Sequence, residues 1–171
     1  MLGASKKEVI LYRYTPEWIK GFDKEKKLIE SIKFGFPVFI EHIGATALVN
    51  SISQNCIDLL VGINSFLDII TARDKLMYNG YYYIAKKSSL FHYVLIKKTK
   101  NDLVSHVIHL VIYNSTDWNN AINFKRYLQS SYHYLDAYNT FKKEIASKYK
   151  DQIDKYNKEK HSYINRILAR L

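Results

Sequence analysis

Two short segments in the first third of the chain carry residues that could do phosphate chemistry. Gly44 follows a β-branched and aromatic run that predicts a strand, and the amides of Ala45 and Thr46 beyond this tight turn could receive a phosphate. Asp58 lies inside the apolar run 57–63. Burying a carboxylate there would destabilise the fold unless the group is paired, hydrogen-bonded, metal-bound or at an exposed strand end. The residues alone leave two alternatives open: a phosphate grip with a Mg²⁺ ligand, or an ordinary turn with a cap or a salt bridge to a lysine.

The histidines near these segments are separated by their strand positions. His42 follows Glu41 directly, so their side chains diverge and only one of them can face a cleft. His106 and His109 lie at odd spacing on one predicted strand, so they point to opposite faces and cannot hold one ion together. His109 is either a ligand or proton-transfer group or a satisfied core residue. Three further histidines have no companion pattern and are predicted to be surface residues: His92, His133 and His161.

The order of predicted elements indicates how these residues are positioned. Hydrophobic periodicity predicts strands at residues 8–14, 37–43, 57–63, 81–86, 91–98 and 103–113, with a short helix after Gly44. Longer helices are predicted from Pro16 to about Gly35, from Ser65 to about Asn79, and from Thr116 to the end, with breaks near His133 and Lys150. This order predicts an α+β fold: one domain over residues 1–171, with a mixed sheet, flanking helices and a C-terminal helical layer.

Composition places the chain among ordinary globular proteins and limits its partners. Of 171 residues, 47% are hydrophobic and 25% are charged, which excludes disordered and collagen-like chains. The net charge of +10 predicts attraction to nucleotides, RNA or anionic surfaces. A general excess of surface lysines without a binding role would give the same charge. The single cysteine, Cys56, fits a reducing compartment, and no apolar run reaches the ~20 residues that span a bilayer, so a cytoplasmic protein without a membrane partner is expected. No zinc spacing, Walker A motif or dinucleotide fingerprint is present.

Basic and aromatic residues are interleaved in the last third of the chain. Lysines and arginines between residues 142 and 170 alternate with tyrosines, a pattern that could bind RNA through its phosphates and bases. Tyr149, Tyr156 and Tyr163 recur every seven residues, which indicates instead a helix packing seam with lysines on the solvated face. The sequence leaves both interpretations open.

The order of several motifs resembles the GrpB family, a UPF0157-type family with the nucleotidyltransferase superfold. The resemblance rests on residues 14–18, 41–47, 57–62, 106–111, 115–118 and 124–128, and on Tyr156, Lys160 and Tyr163 near the end. Its most specific part is the Glu-His-Ile-Gly block at residues 41–44, followed 14 residues after its glycine by Asp58.

This resemblance implies a nucleotide-binding site with Mg²⁺ as its cofactor, because nucleotidyl transfer depends on charge neutralisation and positioning by a metal ion. Asp58 would be the metal ligand, Glu41 a second ligand or base, and His109 a proton-transfer or phosphate-contacting group. The implied nucleotide-binding set is Gly44, Ala45, Thr46, His42 and Lys125. The implied activity is nucleotidyl transfer to an acceptor that the sequence does not define.

The chain departs from the family pattern at several of these positions. Ala45 stands where a serine is expected, which removes a hydroxyl that could bind phosphate. Asn55 and Cys56 replace a Lys-Pro pair, and residues 107–112 lack one histidine and one acidic residue of the pattern. The alternative hypothesis is therefore a binding module that kept the fold and lost catalysis.

Overall fold

A computed structural model describes residues 2–171, which form seven strands and five α-helices. The strands are β1 (Tyr12–Arg13), β2 (Val38–Ile43), β3 (Ile52–Ser53), β4 (Ile57–Ile63), β5 (Tyr82–Tyr83), β6 (His92–Lys98) and β7 (Val104–Ile112). The helices are α1 (Glu17–Glu30), α2 (Phe66–Tyr78), α3 (Thr116–Ser130), α4 (Tyr132–Lys148) and α5 (Ile153–Leu168). Among residues 2–171, no helix has both the length and the apolar composition for crossing a bilayer.

Five strands form a mixed sheet in the order β2-β4-β7-β6-β5. β4 and β7 are parallel, and the other neighbouring pairs are antiparallel. β4 lies between β2 and β7, and every residue of β4 except Asp58 is buried. Burial on both faces explains the nearly continuous run of Ile, Leu and Val. This confirms the predicted doubly covered strand and the predicted α+β fold.

Each face of the sheet packs against different helices. On the face that we call the core face, Leu59 packs with Ile29 of α1 and the apolar residues of α2. On the opposite face, called the α3 face, Leu60 and Val111 pack with Trp118 of α3. Side chains alternate along a strand, so even-numbered residues of β4 and odd-numbered residues of β7 share the α3 face.

The three last helices pack on one another as the predicted C-terminal layer. Phe124 of α3 contacts Tyr138 of α4, and Tyr163 of α5 packs against the same cluster. The helices break at Ser131 and between α4 and α5, close to the two predicted positions. The side chain of Ser131 accepts a hydrogen bond from the amide of His133 and so caps α4.

The predicted first strand is wrong over most of its length. Only Tyr12–Arg13 of residues 8–14 is a strand, and it pairs with β3, which the sequence did not predict. Val9 instead donates its N–H to the carbonyl of Lys150 and packs with the C-terminal helices. The segment therefore joins the helical layer and not the five-stranded sheet.

Two other element boundaries differ from the prediction. Of residues 81–86, only Tyr82–Tyr83 is a strand, because a 3₁₀ turn at Ala85–Lys87 follows at once. α1 ends at Glu30 and not near Gly35. The predicted helix was too long because Ile32 and Phe34 continue the apolar pattern into the loop and pack against the core there.

Candidate functional site

The turn after β2 lies directly against Asp58. Ile43, the last residue of β2, pairs with Asp58 in β4, so the chain turns beside this carboxylate. Gly44 has a φ of +70°, which residues with a side chain rarely adopt. A Cβ atom on Gly44 would lie 2.5 Å from Oδ2 of Asp58. Only glycine therefore allows this approach, and the two principal parts of the predicted site are adjacent.

Glu41, Asp58 and His109 share the α3 face. Glu41 pairs with Leu60, and Leu60 pairs on its other side with His109. Nε2 of His109 lies 3.7 Å from Oδ1 of Asp58, and the side chains are 25% and 31% exposed. Glu41 is a diagonal neighbour of Asp58, a relation that separates residues by about 7–8 Å. The structure thus brings the three predicted catalytic residues to one solvent-accessible surface.

Lys125 reaches the same surface from α3. Its Nζ atom lies 3.6 Å from Oε2 of Glu41, with side chains 21% and 49% exposed. A partly exposed ion pair of this kind contributes about 0–1 kcal/mol, so the lysine can exchange its carboxylate for another anion at little cost. Lys125 therefore lies on the same surface as Glu41, beside Asp58 and His109.

His42 and Thr46 lie behind the turn and not on the α3 face. Both side chains are buried, and Nε2 of His42 lies 3.0 Å from Oγ1 of Thr46. The His42 ring stacks on Phe22 of α1. Burial lowers the pKa of His42 to about 4, against a smaller opposite effect of the Asp58 charge, so this ring is neutral at pH 7. The two side chains brace the turn from the core face.

Helix α4 holds the chain that leaves the turn. The hydroxyl of Ser51 donates to the carbonyl of Ala45 over 2.5 Å. The side-chain amide of Asn139 accepts from the N–H of Ile52 and donates to the carbonyl of Asn50, both over 3.0 Å. These bonds couple the position of the turn to the C-terminal layer.

Sequence reasoning missed His92 and Asp117. Nε2 of His92 lies 3.0 Å from Nδ1 of His109, and Nδ1 of His92 lies 3.7 Å from Oδ2 of Asp117. The prediction that His92 is simply a surface residue is wrong, because its partly buried ring contacts His109. His133 and His161 are exposed, which confirms the same prediction for these two residues. This contact depends on the pairing of β6 with β7, and the residues of either strand taken alone do not indicate it.

His106 faces away from this site, as predicted. It is buried on the core face, where its Nε2 atom lies 3.9 Å from Oε2 of Glu25. The Glu25 carboxylate accepts bonds from the hydroxyl of Tyr81 over 2.5 Å and from the ammonium group of Lys97 over 2.8 and 2.9 Å. His106 belongs to this buried cluster and not to the surface that carries His109.

The site offers few side-chain ligands to a cation. Within residues 2–171, no group of three or more His, Cys, Asp or Glu side chains is placed to hold a metal ion. The residue two positions after Asp58 on the same face is Leu60, which has no carboxylate. A cation at Asp58 would therefore need ligands from a bound phosphate or from water, as Mg²⁺ commonly does.

A cavity of about 530 Å³ lies beside β1 and the start of α1. Its lining includes Tyr12, Arg13, Glu17, Trp18 and Leu103. None of the predicted site residues lines it, so it does not bear on the turn at residue 44.

The three tyrosines of the predicted seam serve packing. Tyr156 is buried with Tyr149 beside it, and Tyr163 stacks on Phe141 at a centroid distance of 4.3 Å. This confirms the packing seam. Rings committed to the helical layer are not free to stack on bases.

The comparison with known families agrees with this arrangement. The sequence model described as GrpB protein matches residues 8–170. The chain belongs to the GrpB family. The glutamate-rich protein GrpB of Alkalihalophilus pseudofirmus is 33% identical to it over 171 residues, covering 98% of each chain.

Solved structures place this GrpB-family chain in the nucleotidyltransferase fold. The conserved protein GrpB from Enterococcus faecalis superimposes with a TM-score of 0.81 and 25% identity, over 94% of this chain and 96% of that one. A mutant of the Cid1 poly(U) polymerase bound to MgATP matches with a TM-score of 0.50 and 13% identity, over 68% of this chain and 39% of that chain. At that identity the second likeness shows the fold alone.

Proposed function

We propose that this GrpB-family chain binds a nucleotide at the Gly44 turn, and that it transfers the nucleotidyl group to an acceptor with Mg²⁺. The observation that carries the proposal is the contact between the Gly44 turn and the Asp58 carboxylate. In this proposal the backbone amides of the turn contact the phosphate and the adjacent carboxylate holds the cation, which are the two kinds of contact that a nucleotide phosphate needs.

The surrounding residues have distinct roles in this proposal. The backbone from Gly44 through Ala45 and Thr46 faces the phosphates, with His42 supporting the turn from behind. Lys125 leaves its weak pair with Glu41 to contact a phosphate. Asp58 binds Mg²⁺, which would neutralise phosphate charge when present. The freed Glu41 is a second ligand or base.

His109 is the proposed proton-transfer or phosphate-contacting group. Its ring lies in ion-pair range of Asp58 and is a quarter exposed, so a bound phosphate or an acceptor hydroxyl can reach it. The net charge of +10 adds long-range attraction for an anionic ligand.

Isothermal titration calorimetry with ATP, CTP, GTP and UTP, with and without Mg²⁺, tests the proposal. We expect Mg²⁺-dependent binding that weakens roughly tenfold or more in Asp58→Asn, because a contact to a charged group is worth about 1.5–3 kcal/mol. Asp23→Asn is the matched control, since Asp23 is exposed on α1. Binding that ignores both Mg²⁺ and the Asp58 substitution would rule out the proposed site.

A second candidate is a module that binds nucleotide without turnover. Two residues favour this candidate. Leu60 adds no carboxylate beside Asp58, and Ala45 adds no hydroxyl at the turn, although both groups would help nucleotidyl transfer. Incubation with α-labelled nucleotide and fractionated cell extract separates the candidates. Label transferred to an acceptor by the wild type and not by Asp58→Asn supports the enzyme; binding with no transferred label supports the module.

RNA binding through α4 and α5 is a third candidate, supported by exposed lysines such as Lys143, Lys155 and Lys158. Affinity should then fall steeply with salt, because phosphate contacts release counterions. Affinity for RNA that hardly changes with salt would exclude this candidate.

A further inference from the structure

Two buried polar side chains of α4 bond to the backbone just beyond the turn that follows β2. Asn139 accepts a hydrogen bond from the N–H of Ile52 and donates one to the carbonyl of Asn50, both over 3.0 Å. Lys142 lies three residues later on the same side of α4 and donates to the carbonyl of Ile52. The helix therefore bonds three backbone groups within three consecutive residues of a loop.

An apolar contact holds the same stretch of chain. Leu48 comes directly after the 3₁₀ turn Ala45–Ala47, is buried, and packs in one cluster with Leu135 and Tyr138 of α4. We call residues 48–52 the exit segment. Its first residue is thus fixed by packing and its last residues by hydrogen bonds, in both cases against α4.

Ser51 connects the exit segment back to the turn. Its side chain is buried, and its hydroxyl donates to the carbonyl of Ala45 over 2.5 Å. The same carbonyl accepts the N–H of Leu48 over 3.1 Å, and the carbonyl of Gly44 accepts the N–H of Ala47 over 3.3 Å. A displacement of the exit segment would therefore break bonds on which the shape of the turn depends.

Strand pairing alone holds the exit segment weakly. β3 has two residues and pairs with β1, which is equally short, and so small a two-stranded ladder is marginal by itself. The side chains of α4 add what the ladder lacks. Hydrogen bonds from buried side chains fix a loop because each donor and acceptor must be in place for the bonds to form.

We infer that Asn139 is a positioning residue for the nucleotide site: acting from α4 through the exit segment, it holds the Gly44 turn in the shape that binds phosphate. This inference rests on the nucleotide binding proposed above. A turn held in its binding shape binds more tightly, because less ordering is needed when the ligand arrives. Asn139 acts through the backbone that it bonds and not by touching the ligand.

Amide hydrogen exchange, measured by NMR without nucleotide, tests the positioning step by itself. Asn139→Leu removes both side-chain bonds with little change in volume. The amides of Ala47 and Leu48 bond within the turn and not to Asn139, and we expect their exchange to accelerate at least about tenfold. Ile145→Ala is the control for a general loss of stability, because Ile145 is buried on α4 in a different cluster. Exchange in Asn139→Leu no faster than in this control would overturn the inference.

Calorimetry with ATP and with inorganic tripolyphosphate, both with Mg²⁺, tests the effect on binding. We expect Asn139→Leu to weaken both ligands about tenfold, because the turn contacts phosphate, and Ile145→Ala to change both affinities less than about twofold. Ser51→Ala interrupts the same route, so combining it with Asn139→Leu should weaken binding no more than the larger single effect. Effects that multiply in the double variant would overturn the route through Ser51 and with it the inference.

The two measurements separate this inference from the proposed function. No binding of ATP by the wild type would contradict the proposed function, and the exchange rates would still decide whether Asn139 holds the turn. Unchanged ATP affinity in Asn139→Leu, with ATP bound by the wild type, would overturn the inference alone. Should Asn139→Leu fail to fold, Ser51→Ala removes one oxygen atom and is expected to change the exchange rates and the affinities in the same directions; no change in either would overturn the inference.

Discussion

Lys142 provides the strongest test of how the C-terminal layer is built. Its side chain is almost fully buried at 1% exposure, and its ammonium group donates to the carbonyl of Ile52 and lies 4.4 Å from the centre of the Tyr138 ring. Burial, and then the charge of Lys160, lowers the pKa of Lys142 from 10.5 to about 7. The folded chain therefore holds this proton much less tightly than the unfolded chain.

The sign and size of the effect on stability follow from this difference. Between pH 7 and 10.5 the unfolded chain keeps a proton that folded Lys142 has lost, so the free energy of unfolding rises with pH. The slope is about 1.4 kcal/mol per pH unit, which gives ~2.5 kcal/mol between pH 7.5 and 9.5. That figure is the contribution of Lys142 alone. Burial raises the pKa of the Cys56 thiol above its usual 9.0 and acts in the opposite direction from about pH 9, and the raised pKa values of Tyr138 and Tyr156 do so at higher pH.

Urea unfolding at several pH values, followed by tryptophan fluorescence, measures this slope. Lys142→Met should remove most of the rise, whereas Lys143→Met, at an exposed position of the same helix, should retain it. Because we propose that residues 1–171 form one domain, a single transition is expected at each pH. Parallel pH profiles for wild type and Lys142→Met would refute the reasoning.

Two further substitutions test the turn and the buried cluster by urea unfolding. Gly44→Ala should lower the free energy of unfolding by about 1–3 kcal/mol through backbone strain, and further through the contact of the new Cβ with Asp58. Gly80→Ala is the control, because Gly80 has a φ of +88° and no atom within 4 Å of the new Cβ, so only the strain applies. Equal losses in the two variants would contradict the Gly44 contact. Lys97→Met should cost roughly 3 kcal/mol, because it leaves the buried Glu25 carboxylate without its cation; a loss below about 1 kcal/mol would contradict that account.

The parts of the fold that depend on local patterns could be predicted from the sequence. β4 was recognisable because burial on both faces demands a continuous apolar run, and the seven-residue recurrence of Tyr149, Tyr156 and Tyr163 predicted their packing. The alternation of side chains also separated Glu41 from His42 correctly, because the period of two along a strand holds in every sheet.

Contacts that depend on pairing between strands could not be predicted in the same way. His92 reaches His109 because β6 and β7 pair with a register shift between Lys97 and Lys98. A register counted back from Lys98 and Val104 without that irregularity would place His92 on the opposite face. The shortness of β1 could not be predicted either. Val9, just before it, bonds to Lys150 in the C-terminal layer, and this contact joins residues that are far apart in the sequence.

The central claim is that the turn at Gly44 and the carboxylate of Asp58 form one nucleotide site that needs a divalent cation. The most direct measurement is the ratio of ATP affinities with and without Mg²⁺, determined by calorimetry for wild type and for Asp58→Asn. The account predicts a large ratio in the wild type and a ratio near one in the variant. Equal ratios in the two proteins, or no binding of any nucleotide by the wild type, would contradict it.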